Sequence, residues 1–152
     1  MNYKRAYLEI CKDIINNEYV RGQEANDDLM LIIPPDGFYG YYLKKDNIPF
    51  NKEKLRMIPT ETRKIIDLEI AKPENEIKLT NHLMLMDYRK GMVRKFSADG
   101  KEVWVNADFL KNLDLNASRF YQEKDEPCSA ILAEEDGEPT MCILPMKVRG
   151  AS

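Results

Sequence analysis

Leu29-Met-Leu-Ile-Ile33 is an unbroken apolar run that ends at Pro34-Pro-Asp-Gly37, and it constrains the fold more than any other stretch of the chain. A strand with one face in water alternates apolar and polar residues, whereas a continuous run requires cover on both faces. The proline and glycine that follow preset a tight turn, so Phe38 to Leu43 is expected to return as the second strand of a hairpin. The two covering layers must then come from elsewhere in the chain.

One layer is legible near the N-terminus. Tyr3, Ala6, Tyr7, Ile10, Cys11, Ile14 and Ile15 recur at helical spacing and predict an amphipathic helix over residues 3–16, opened by Asn2 as N-cap. Its other face carries Lys4, Arg5, Glu9, Lys12 and Asp13. Residues 17–27 are polar, contain Gly22 and read as a loop. Residues 44–63 hold Ile48, Phe50, Leu55, Met57 and Ile58, broken up by Pro49 and Pro59, and predict no long element.

The remainder reads mostly as strands. Ile65 to Ala71 alternates and predicts a strand, with a turn at Pro73-Glu-Asn75 and a return over Glu76 to Thr80. Leu83 to Tyr88 and Met92 to Ser97 form a further pair, and Asp99-Gly100 then turns the chain into Glu102 to Asn106. A short helix is expected over Ala107 to Leu113, with Asn106 as cap and with Asp108 and Lys111 suited to its two ends. Strands at Ser118 to Gln122, Cys128 to Ala133 and Thr140 to Val148 follow, the last two joined at Asp136-Gly137. Pro145 lies inside the closing strand and cannot donate to a ladder, so pairing should stop there and leave apolar side chains for a partner. The expectation is one α+β domain over residues 1–149, two helices packed on antiparallel sheet, with residues 150–152 as a frayed tail.

At 152 residues the chain is long enough to bury roughly 70% of its extended surface as one domain. Cys11, Cys128 and Cys142 are odd in number and form no C-x-x-C pair, which fits free thiols in a reducing, cytoplasmic setting. No signal-peptide pattern is present and no apolar run approaches the about 18 residues of a membrane span, so no membrane partner is expected.

The net charge is only −3, but it is unevenly placed. Residues 44–64 carry seven basic groups (Lys44, Lys45, Lys52, Lys54, Arg56, Arg63 and Lys64) against three acids. Arg89, Lys90, Arg94 and Lys95 add uncompensated positive charge, and residues 123–138 hold seven acids and one lysine. Such blocks are either solvated faces or a basic face that meets phosphate.

Catalytic chemistry is not signalled. His82 is the sole histidine, no nucleophile elbow or phosphate-binding glycine loop occurs, and the four Cys and His residues are too scattered for a zinc site. Asp67 with Glu69, or Glu134 with Glu135 and Asp136, supply carboxylates that suit either Mg²⁺ or plain solvation. Phe38, Tyr39, Tyr41 and Tyr42 beside Lys44 and Lys45 suit either a stacking platform for single-stranded nucleic acid or a core. No cofactor and no metal are expected, and a small metal-dependent enzyme is the least favoured reading.

The C-terminal residues carry a family resemblance. Val105-Asn106 with Phe109-Leu110 and Leu113, then Pro127-Cys-Ser-Ala-Ile131, then Cys142-Ile-Leu-Pro-Met-Lys-Val148 resemble the last half-domain of bacterial DNA sliding clamps, the β subunit of DNA polymerase III. That family runs from a strand into a Phe-Asn-x-x-Tyr-Leu-Leu-x-x-Leu helix, forms a Pro-x-x-Ile element and closes on a Tyr-x-x-Met-Pro-Met-Arg-Leu strand. The resemblance implies a DNA-clamp-like domain, without enzymatic activity, acting in replication and encoded by a phage or mobile element. It nominates Leu144, Pro145, Met146 and Lys147 as the site for replication-protein peptides. It makes Lys4, Arg5, Lys12 and Lys111 contacts to duplex DNA, and it implies a homo-oligomer, since a clamp subunit has three such domains. A protein-interaction module, an inhibitor or adaptor that mimics a clamp domain without touching DNA, is the alternative.

Overall fold

The computed structural model describes residues 1–59, 64–86 and 91–148, and among them ten strands form one mixed sheet against a single α-helix, an α+β fold. The helix α1 spans Tyr3–Asn17. The strands are β1 Val20–Glu24, β2 Leu29–Ile33, β3 Tyr39–Lys44, β4 Leu55–Met57, β5 Glu76–Leu85, β6 Met92–Ala98, β7 Lys101–Asn106, β8 Ser118–Gln122, β9 Ile131–Glu135 and β10 Glu138–Ile143. Their order across the sheet is β4-β1-β2-β3-β10-β9-β8-β5-β6-β7, antiparallel throughout except for the β1–β4 pair.

Local chemistry sets the ends of these elements. The Asn2 side chain accepts the Arg5 N–H at 3.1 Å to start α1, and Glu18, at φ 68°, ends it by donating its N–H to Ile14 O at 2.7 Å. Asp99 (φ 44°) with Gly100 (φ 80°), and Asp136 (φ 52°) with Gly137 (φ 79°), supply the paired positive φ of type I′ hairpin turns. In β3, a side chain at Gly40 would place its Cβ 2.9 Å from the Ile32 carbonyl, so only glycine allows β2 and β3 to approach this closely there.

The β2 run is covered on both faces, as its composition requires. Met30 and Ile32 join Ala6 and Ile10 of α1, Tyr41, Phe96, Val105, Phe120 and Met141 in the inner core. Leu31 and Ile33 turn the other way, to Tyr42, Tyr121, Leu132 and Cys142, under a cover of Ile58, Ile66, Leu68 and Ile70.

Pro145 determines how the sheet ends. The Leu144 N–H donates to Phe38 O at 2.9 Å, the last bond between the β10 side and the β3 side. Successive N–H groups of an antiparallel strand point to opposite neighbours, so the N–H that Pro145 lacks would have faced the β9 side, and the strand cannot be carried on there. The chain instead crosses to β7, where the Met146 N–H donates to Trp104 O at 2.7 Å in an isolated antiparallel bridge. Because β7 is the far edge of the strand order, this bridge folds the sheet back on itself.

Several expectations need correction. The two-helix arrangement is not found among the described residues: Ala107–Leu110 is a 3-10 turn. The Asn112 side chain is drawn into the core, where it bonds Glu9 and Tyr41, and the turn does not continue as an α-helix. The expected strand over Ile65 to Ala71 is instead a 3-10 turn at Leu68–Ile70, since the Asp67 side chain accepts the Glu69 N–H at 3.0 Å and offers the backbone a local alternative. β1 occupies the expected loop; its Val-Arg-Gly-Gln-Glu sequence has little apolar pattern, and its pairing rests on the ladders to β2 and β4. β10 ends at Ile143 rather than Val148, at the proline. Leu83 to Leu85 of the predicted Leu83 to Tyr88 strand continue β5 from Glu76, while residues 87–88 of it and the tail at 150–152 lie outside the described residues.

Burial on the outer face has a measurable consequence. Leu132 is fully buried, and Leu132→Ala should destabilise the fold by about 2–5 kcal/mol in urea unfolding, as Ile10→Ala should on the inner face. A loss for Leu132→Ala within about 0.5 kcal/mol, the range of an exposed position, would show that the outer cover is not formed.

Candidate partner-binding edge

The chain after β10 threads between two surface grooves. Leu144 packs against the outer apolar cluster and borders a groove of about 890 Å³ that also involves Ile66, Ile70 and Ala130. Pro145, Met146, Lys147 and Val148 line a separate groove of about 610 Å³, whose other wall is Lys101 to Trp104 and whose end is Pro127-Cys128. The four residues nominated for peptide binding therefore divide: Leu144 belongs to one groove, and Pro145, Met146 and Lys147 to the other.

Trp104 is the residue at this edge that sequence reasoning did not single out. It is 5% exposed, with the His82 ring edge-on at 5.4 Å between centroids and Lys95 Nζ 5.9 Å from its ring centre. Its buried Nε1–H has no hydrogen-bond partner among the described residues. An unsatisfied buried donor costs about 1–3 kcal/mol, and few native groups carry that cost. Lys95 bonds the neighbouring Glu102 carboxylate and holds it below the usual carboxylate range; the Trp104 indole leans toward the same carboxylate without reaching hydrogen-bond geometry. The only sequence signal was the lone tryptophan in the strand that Met146 bridges.

The thiols differ across the same region. Cys128 is exposed at the end of the Met146 groove, whereas burial pushes the Cys142 thiol up to about 12 and leaves it a packing group.

The nominated DNA contacts lie on and beside α1. Lys4, Arg5 and Lys12 are exposed on its outward side, together with Leu8 and Ile15, which are 63% and 81% exposed. Arg5 Nε is 3.9 Å and Lys111 Nζ 3.4 Å from Glu9 Oε1, so this one carboxylate offsets two of the four cations. Glu9 Oε2 in turn accepts the Tyr41 hydroxyl at 2.7 Å and the Asn112 amide at 3.1 Å. Burial raises the Glu9 pKa, but these two hydrogen bonds and Lys111 outweigh it and hold the carboxyl below its usual range. Lys4 and Lys12 form no salt bridge among the described residues.

Two other sequence candidates dissolve. Tyr41 and Tyr42 are buried in the inner and outer clusters respectively, and Tyr39 packs on Phe109 with ring centres 4.6 Å apart. Only Phe38 is exposed, so no aromatic platform faces solvent there. Among the described residues no three His, Cys, Asp or Glu side chains are grouped to hold a metal ion, and no helix is long and apolar enough to cross a membrane. No family model, curated relative or solved structure matches the chain.

The Glu9 network should show itself through pH. A carboxyl with a lowered folded pKa contributes stability above its unfolded value and loses it as pH falls through the folded one. Tyr41→Phe should therefore cost about 1–3 kcal/mol at pH 7 and distinctly less at pH 3, measured by urea unfolding. Equal costs at the two pH values would show that the Glu9 charge does not strengthen the bond.

Proposed function

We propose that the chain is a non-catalytic binding domain that receives an extended apolar peptide segment in the groove beside Met146. One observation carries the reading: at Pro145 the chain leaves β3 and bridges to Trp104 by a single bond, framing an open groove with Met146, Val148 and Pro127 as apolar contacts. Lys101, Glu102 and Lys147 on the rim supply charges that can set register and partner choice, while apolar contacts supply most of the affinity. Extended peptides commonly dock beside strand edges with alternate side chains in shallow pockets, and this surface suits that mode.

The clamp-like plan belongs to the same proposal. The succession of β7, the Ala107–Leu110 turn, β8, β9 and β10 supports it in order, with one 3-10 turn in place of a second helix. On that plan the peptide would come from a replication protein. An adaptor or inhibitor that uses the groove without DNA fits the same surface.

Duplex DNA is a second reading, favoured by the exposure of Lys4 and Lys12 on the outward side of α1 with no salt bridge to either among the described residues. Contacts of this kind are independent of sequence and weaken steeply with salt.

Peptide display against the immobilised protein should enrich extended apolar segments. Met146→Asp should then weaken their binding at least ten-fold while the unfolding midpoint stays close to that of the native chain. Unchanged binding by the variant would place the site elsewhere. For DNA, fluorescence anisotropy with a short duplex should show binding that falls as salt rises from 50 to 200 mM and disappears in a Lys4→Glu, Lys12→Glu double variant. Absence of binding at the lower salt would discard the α1 contacts.

A further inference from the structure

The ribbon formed by β5 and β6 is basic in sequence, as residues 44–64 are, although its Lys78 and Lys95 pair with Glu76 and Glu102. Between Ile77 and Ala98 the sequence holds five Lys and Arg residues and one acid, within a protein of net charge −3. β5 pairs with β8 only at Glu76 and Ile77, and from Leu83 to Leu85 it pairs with β6 alone. Leu83 pairs across to Arg94 and Leu85 to Met92, so these four residues share one face of the ribbon. Leu83 is 51%, Leu85 65% and Met92 39% exposed, an apolar row with no cover among the described residues. The Arg94 guanidinium donates to neutral acceptors, Thr80 O at 2.9 Å and Asn81 Oδ1 at 3.3 Å, and forms no salt bridge among the described residues.

A second surface has complementary chemistry. The groove of about 890 Å³ beside Leu144 has an apolar floor of Ile66, Ile70 and Ala130. Asp67, Glu69, Glu123 and Glu126 line it, outnumber Lys64 and Lys72, and form no salt bridge among the described residues. β5 starts at Glu76, next to Asn75 on the groove wall, and runs ten residues to Leu85, roughly 30 Å of extended chain, so the ribbon cannot reach back into its own groove.

We propose that the β5–β6 ribbon of one copy docks in this acidic, apolar groove of a second copy. Leu83, Leu85 and Met92 cover the apolar floor, and Arg94 meets the carboxylates. The two surfaces differ, so the contact is heterologous, and each copy keeps a free ribbon and a free groove for the next. Chains of copies grow until the rotation per copy closes a ring. The association rests on charge as well as burial and weakens with added salt. It uses neither Met146 nor the groove beside it, and stands or falls apart from the peptide reading.

Mixing two defective variants tests the contact. Leu85→Asp removes the ribbon and leaves the groove; Glu123→Lys with Glu126→Lys removes the groove and leaves the ribbon. Gel filtration with light scattering should give masses above one copy for the native chain, rising with concentration and falling with salt. Each variant alone should be monomeric with an unfolding midpoint near the native one, and an equimolar mixture should form a 1:1 dimer that grows no further. A native chain that stays monomeric at every concentration would overturn the proposal, as would variants that fail to complement. Ribbon-dependent binding to duplex DNA or to anionic vesicles by a monomeric native chain would assign the ribbon to those partners instead.

Discussion

A missing donor organises the end of this fold. β10 lies in the middle of the strand order, between β3 and β9, and an ordinary residue at 145, next to the Leu144 that bonds β3, would turn its N–H toward β9 and carry the strand onward. Proline removes that N–H, and the next donor, Met146, bonds Trp104 rather than β3. The same change of partner folds β7 back toward the centre, completes the inner core around Phe96, Val103 and Phe120, and leaves a groove where Met146 meets the edge. Strand edges invite unwanted pairing, and here the edge is occupied at one point by the chain's own return.

The helix is fixed by polar as well as apolar contacts. Ala6 and Ile10 are fully buried, and Glu9 ties α1 to Tyr41 on β3 and to Asn112 beyond the 3-10 turn. Asn112 further accepts the Asn2 N–H through its backbone carbonyl at 2.7 Å. The region that the clamp resemblance expects to be a second helix thus serves as an anchor for the first. That substitution also explains why Lys111 points at Glu9 rather than standing free for phosphate.

Much of this was legible in the residues. The Leu29–Ile33 run required cover on both faces and has it, and the Asp-Gly pairs located both type I′ turns. Asn2 capped the helix as its side-chain chemistry suggests. β1 was not legible, because the backbone ladders that hold it leave no apolar pattern, and its buried Gln23 is satisfied by the Ile65 N–H from a distant segment at 2.9 Å. The Ile66, Leu68 and Ile70 positions were recognised as apolar and do pack, yet their alternation misled because Asp67 captured a local backbone bond. At the candidate edge Pro145 was found through its missing donor. Trp104 was not, since its importance depends on a bridge between residues far apart in sequence.

Backbone hydrogen exchange after the proline tests the closure most directly. If the Met146 N–H donates to Trp104 O, its amide should exchange far more slowly than that of an unstructured peptide, as should Leu144, while the exposed Lys147 exchanges quickly. Exchange of Met146 at the unstructured rate, with Leu144 still protected, would show that the chain leaves the sheet at Pro145 without reaching β7, and that the groove beside Met146 does not exist.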